Sequence, residues 1–147
     1  MIRAALLTDL AALTEVEAAC FGDDAWNVSL VEAELTGQTR SVLVSIDGGV
    51  VVGYGSIMVV GDLADLQRIA VLSEARRRSF GRDLLESLLA TAIERGAARI
   101  LLDVAASNEA AIGLYSGFGF TTIGRRRGYY ANGSSALVME KSLEKKS

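Results

Sequence analysis

The sequence has no histidine, no proline and a single cysteine. Without histidine, Ser-His-Asp and Cys-His nucleophilic mechanisms are excluded, as are metal sites built on imidazole. Proton transfer must fall to Asp, Glu, Tyr, Cys, Lys, water or the substrate. Cys20 alone permits no intramolecular disulfide and no cysteine-rich zinc site, and no metal is expected. It lies on the apolar stripe Leu10, Leu13, Val16, Cys20 of a helical pattern and is expected in the core. Average usage predicts about seven prolines in a chain this long. A deliberately restricted amino-acid alphabet, as in an engineered variant, would account for both absences. No apolar run approaches the roughly eighteen residues of a membrane span, and no N-terminal segment has the pattern of a signal peptide. The net charge of −3 argues against a general nucleic-acid binder. The expectation is a soluble, cytoplasmic chain with neither nucleic acid nor membrane as partner.

What is present suits one domain over residues 1–147, half of it apolar. Ile2–Ala5 reads as a strand, and Thr8 or Asp9 can cap a helix through about Ala19. Asn27 or Ser29 starts a second helix with Val28, Val31 and Leu35 on one face. Ser41–Ile46 and Val50–Val59 are β-rich runs around Asp47-Gly48-Gly49, a strong hairpin signal. Leu63–Val71 is a further strand. Gly81–Arg95 is the clearest helix, with Leu84, Leu85, Leu88, Leu89 and Ala92 on its apolar face and Gly96 as its stop. Then come a strand at Arg99–Val104, a short helix at Asn108–Tyr115 and strands at Phe120–Arg125 and Ala136–Glu140. The order implies an α/β domain, a mixed sheet with helices on both faces.

Arg76, Arg77 and Arg78 sit in the turn between the Leu63–Val71 strand and the helix opening at Gly81. A helix N-terminus carries roughly half a positive charge, so cations there cost energy unless an anion occupies the turn. Free N–H groups and arginines together can hold one. The motif is not a nucleotide-triphosphate loop, because G-x-x-x-x-G-K-[ST] is missing, and no convincing G-x-G-x-x-G occurs. The alternative is a solvated basic face.

The segment Asn108-Glu109-Ala110-Ala111-Ile112-Gly113-Leu114-Tyr115-Ser116-Gly117-Phe118-Gly119-Phe120 completes a set. With Gln67–Leu85 it resembles the GNAT N-acetyltransferase superfamily. That family's N-x-x-A-x-x-L-Y-x-x-x-G-F pattern is matched at Asn108, Ala111, Leu114, Tyr115, Gly119 and Phe120. Its [QR]-x-x-G-x-[GA] loop is matched at Arg76 and Gly81, with Ser79 in place of the first glycine. Asp24-Ala25-Trp26-Asn27, Leu102–Asn108 and Arg127-Gly128-Tyr129-Tyr130 are similar to segments of its RimI branch, the ribosomal-protein alanine N-acetyltransferases.

The resemblance implies the GNAT fold, a mixed, mostly antiparallel sheet with a central splayed strand pair. It implies acetyl-CoA as cosubstrate and a protein or peptide N-terminus as acceptor, with a ribosomal protein as one candidate. A lysine or small-molecule amine as acceptor, or a non-catalytic acyl-CoA-binding module, are the alternatives. Pyrophosphate would lie over Arg76, Arg77, Arg78, Ser79, Phe80, Gly81 and Arg82. Pantetheine would pair with the main chain of Ile69, Ala70 and Val71. Asn108 would bond the cofactor arm, cap its own helix, or both. Tyr115 matches the family's general acid, against a packing role at a helix end. Asp103 stands where the branch has glutamate, as base or as a carboxylate pairing with an arginine. Tyr129 and Tyr130 would wall the acceptor groove or pack across strands, and Trp26 would border the acceptor or join the core. Ala105 and Ser134-Ser135 depart from the branch at plausible peptide contacts.

Overall fold

The Gly48-Gly49 pair has φ of +57° and +81°, which makes the tight two-residue turn that joins strands β2 (Arg40–Asp47) and β3 (Val50–Val60). The computed structural model describes residues 1–75, 79–130 and 132–144. Its other elements are β1 (Ile2–Ala4), α1 (Leu10–Phe21), α2 (Val28–Thr36), β4 (Leu63–Val71), α3 (Phe80–Glu94), β5 (Arg99–Ala105), α4 (Glu109–Gly117), β6 (Thr121–Arg126) and β7 (Ala136–Ser142). The seven strands form one sheet in the order β1-β2-β3-β4-β5-β7-β6. Only the β4–β5 neighbours run parallel; the other pairs are antiparallel.

Alternation along β3 sorts its side chains to two faces. Tyr54 packs with Val44, Ala70 and the α1–α2 residues Leu13, Val16 and Val31. Ile57 packs with Leu85, Leu88, Leu89 and Ala92 of α3 and with Ile100, Leu102, Tyr115 and Met139. The expected apolar face of α3 is therefore buried in full. Each such leucine is worth about 1.5–3 kcal/mol of burial, which outweighs the modest intrinsic helix propensities of the sequence. The helix ends as expected: Gly96 has φ of +91°, its N–H donates to the Ile93 carbonyl, and Ala97 N–H reaches back to Ala92.

Three local expectations need correction. Asp9 precedes α1, but its carboxylate does not cap that helix. It turns back to accept from Leu6 N–H at 2.7 Å and pairs with Arg3 at 2.8 Å, because a charged fork outcompetes a single amide. Val28 is exposed on α2, so Val31, with partly buried Leu35, makes the apolar contact; Asn27 is the cap, accepting from Leu30 N–H at 3.0 Å. Cys20 joins the α1–α2 core only at its edge, half-buried, with its thiol directed at the Val71 carbonyl.

Candidate active site

Strands β4 and β5 pair only over Leu63–Asp65 against Arg99–Leu101, and then separate. The cause lies in β4. Its register against β3 shifts so that Ser56 faces Arg68 while Ile57 faces Leu66, leaving Gln67 as a bulge. A bulge bends its strand, and the parallel partner cannot follow. Leu72 donates to the Val52 carbonyl, so the strand's alternation turns the N–H and C=O of Ile69 and Val71 away from β3 and into the gap. The opening is a cleft of about 430 Å³ whose walls include Ile69, Ala70, Val71, Gly81, Asp103, Asn108, Ala111 and Tyr115.

The start of α3 forms one end of this cleft. Ser79 occupies the N-cap position with φ of +67°, the only non-glycine residue with positive φ among the described residues. That conformation favours glycine, which gives the missing family glycine a conformational as well as a steric meaning. Gly81 lines the cleft itself. Phe80 is half-buried, and Arg82 is exposed, its guanidinium 5.8 Å from the Phe118 ring centre. Arg76, Arg77 and Arg78 lie outside the described residues.

Opposite stands α4. Asn108, Ala111 and Tyr115 are spaced by three and four residues, so one helical face carries all of them to the cleft. Of the two roles open to Asn108, the structure has it capping α4, with its side-chain oxygen accepting from Ala111 N–H at 3.1 Å. The Tyr115 side chain is buried and packs edge-on against Phe120 at 5.7 Å. Among the described residues its hydroxyl takes no hydrogen-bond partner. Burial, then the neighbouring Tyr130, pushes its pKa well above the ordinary tyrosine value, so it carries its proton throughout the physiological range.

A second recess of about 250 Å³ opens on the other side of the gap, lined by Trp26, Asp65, Gln67, Asp103, Tyr129 and Tyr130 among others. Tyr129 and Tyr130 are not strand residues. Gly128, with φ of +61°, turns the chain out of β6, and the two rings meet edge-on at 5.1 Å in the β6–β7 connection. Asp103 is exposed and pairs with Arg126 at 3.2 Å, and it faces this recess as well. Trp26 packs against the α1–α2 core and also lines the recess.

Asp65 was not singled out by its sequence context. Burial, and then Asp103, hold its carboxyl above the usual carboxylate range. The folded state therefore binds that proton more tightly than the unfolded chain, and stability falls as pH rises from the unfolded value through the folded one. Asp65→Asn is expected to raise Tm near pH 7 and to leave it almost unchanged near pH 3, below both values. Thermal melts at the two pH values check this; an equal change at both would place the effect in packing.

The sequence reading also missed Glu17, Tyr54 and Arg68. Glu17 is fully buried, and Arg68 grips its carboxylate with Nε at 3.1 Å and Nη2 at 3.0 Å. The same carboxylate accepts from the Tyr54 hydroxyl and from Trp26 N–H. The available signal was Glu17 itself, four residues after Leu13 on the buried face of an apolar helix; a carboxylate there requires a partner.

Residues 10–120 match the family model of the acetyltransferase (GNAT) family. The chain is 34% identical over 146 residues to the N-alpha-acetyltransferase RimI of Mycobacterium tuberculosis, covering 95% of this chain and 90% of that protein. Over 82 residues, 56% of this chain and 55% of the relative, it is 43% identical to the ribosomal protein bS18-alanine N-acetyltransferase of Escherichia coli. The crystal structure of the Escherichia coli ribosomal-protein-S18-alanine N-acetyltransferase superposes with a TM-score of 0.92 at 31% identity, covering 100% of this chain and 96% of that one. The chain therefore belongs to the GNAT acetyltransferase family and is an acetyl-CoA-dependent N-acetyltransferase.

Proposed function

We propose that this chain acetylates the N-terminal α-amine of a protein, with a ribosomal protein that begins with alanine as the acceptor class. One observation carries the reading. The cleft and the recess share Leu66, Gln67, Arg68, Asp103 and Tyr130, so the β4–β5 gap joins them through a common wall. A thioester entering from one side and an amine from the other meet there without a covalent enzyme intermediate. The names of the relatives support the acceptor class.

The residues fit the donor. Ile69 offers main-chain groups to the amides of a pantetheine arm, as a strand would. The α3 N-terminus, with Gly81 lacking a Cβ, offers N–H groups to a pyrophosphate. The acceptor amine, once neutral, attacks the acetyl carbonyl. The C–S bond breaks, and Tyr115 gives its proton to the departing sulfur. Asp103 takes the proton that the amine sheds, directly or through water.

The test is a panel of acceptors with acetyl-CoA. A peptide with a free N-terminal alanine should be acetylated on its α-amine, as mass spectrometry of fragments would locate. The same peptide blocked at its N-terminus but carrying lysine, and small polyamines, should turn over far more slowly. Equal kcat/KM for lysine or polyamine would overturn the acceptor class.

Two substitutions probe the assigned roles. Ser79→Gly relieves a left-handed serine, so stability should rise by up to about 1 kcal/mol and acetyl-CoA should bind as well or better. A large loss of affinity in calorimetry would make the serine hydroxyl a ligand. Asp103→Asn should lower kcat/KM modestly, and the deficit should shrink as pH rises past the α-amine pKa of about 8, where the amine needs no base. A deficit constant with pH would make Asp103 a substrate-holding group.

A further inference from the structure

We infer that Arg68 is the positioning residue of the acceptor site, fastening the Trp26 loop to the splayed strand that receives the donor. The inference rests on the proposed reading in which the Trp26 recess takes the acceptor. Arg68 follows the Gln67 bulge directly, so the residue that tracks the opening of the sheet also makes the fastening. Its guanidinium does three things at once. It forks onto the buried Glu17 carboxylate at 3.0 and 3.1 Å. It donates to the Asp24 carbonyl at 2.7 Å, inside the loop. It lies over the rings of Phe21 at 3.9 Å and Trp26 at 4.5 Å.

Glu17 completes the fastening from the other side. Its Oε1 accepts Trp26 N–H at 2.8 Å while its Oε2 takes the Tyr54 hydroxyl of β3. The loop between α1 and α2 is thus held at its Asp24 carbonyl, its Trp26 amide and its Trp26 ring, all by one ion pair rooted in α1 and β4. Without these ties the loop would be held by the packing of Phe21 and Trp26 alone and would open more readily. The pairing also has an electrostatic consequence. Arg68 lines both the cleft and the recess, where a bare cation would repel an incoming ammonium. Glu17 balances that charge from the interior. Lysine could supply the charge but neither the planar fork nor the stacking over two rings.

The experiment uses Trp26 as its own reporter, because it is the only tryptophan. Arg68→Lys keeps a cation beside Glu17. Arg68→Met combined with Glu17→Gln removes both charges together, so no unpaired carboxylate is left inside the fold, and glutamine still accepts from Trp26 N–H. For each variant, Tm, the KM for an alanine-terminated peptide, the Kd for acetyl-CoA and acrylamide quenching of Trp26 are measured. The expected result is a peptide KM raised roughly tenfold with acetyl-CoA affinity unchanged. Trp26 quenching should rise about twofold as the loop loosens, and the double variant should show both effects even where its Tm matches wild type. Wild-type peptide KM and quenching in a variant lacking the fork would overturn the inference. So would effects that track Tm alone across the variants. Failure of the acceptor reading looks different: the wild-type protein then turns over no peptide α-amine, while quenching still decides whether Arg68 holds the loop.

Discussion

Tyr115→Phe is expected to lower kcat by about 10²–10⁴-fold while the KM for acetyl-CoA stays nearly constant. The substitution deletes one oxygen and leaves the ring against Phe120, whose edge-on contact at 5.7 Å is indifferent to the hydroxyl. Stability should therefore change little, which keeps the kinetic result readable. The proton at stake is firmly held, since burial pushes the Tyr115 pKa up. A group so weakly acidic does not ionise in advance, and because a thiol is a stronger acid than a phenol, its proton passes to the sulfur only in concert with C–S cleavage and loss of the amine's own proton. The thiolate is a fair leaving group, which argues for the lower end of the range. The measurement is single-turnover acetylation, where chemistry is observed apart from product release. A Tyr115→Phe protein with wild-type single-turnover rate would remove the assigned acid. It would leave the hydroxyl as a group that merely fills the cleft wall.

The helix that carries Tyr115 was legible because it is settled locally, while the role given to Tyr115 came from the GNAT motif. Asn108, Ala111 and Tyr115 share a face by spacing alone, and their helix follows directly from strand β5. The Gly48-Gly49 turn and the apolar face of α3 were legible for the same reason, since each is settled by residues within a few positions of one another. The site's other half depends on distant pairings. Nothing near Gln67 announces a bulge; it exists because β4 must match β3 on both sides of it. Arg68 and Glu17 are 51 residues apart, and neither is odd enough alone to name the other. For Tyr129 and Tyr130 the sequence left two readings open, a groove wall or cross-strand packing. Two adjacent aromatics suit a strand, but Gly128 bends the chain first, and the pair closes the recess from a loop. The GNAT motifs supplied the splayed strand pair, because a family pattern encodes tertiary arrangement that local propensity does not, but they did not supply the Arg68–Glu17 pair.

A second large effect should follow from the seating of α3 on the sheet. Gly55 faces α3, and a Cβ built there would collide with the Leu88 side chain. Leu88 is fully buried in the core that Ile57, Leu85 and Leu102 share. Leu88→Ala removes that side chain and leaves a cavity, at a cost of about 2–5 kcal/mol. For a domain of this size that corresponds to roughly 5–15 °C in Tm. Gly55→Ala overfills the same contact and should cost about 1–3 kcal/mol, because the helix must lift or Leu88 must leave its rotamer. The two defects are complementary, an added methyl where the other change has emptied space. The double variant should therefore lose less than the sum, by about 0.5–3 kcal/mol. Function should register the seating too. The first turn of α3 carries Gly81 to the cleft, so lifting the helix in Gly55→Ala moves the N–H groups assigned to the pyrophosphate. Acetyl-CoA affinity should fall in that single variant and recover in the double one. Strict additivity in urea melts, or affinity unchanged in Gly55→Ala, would mean that β3 absorbs the added methyl locally. The position of the α3 turn would then be set by β4 and the preceding loop instead.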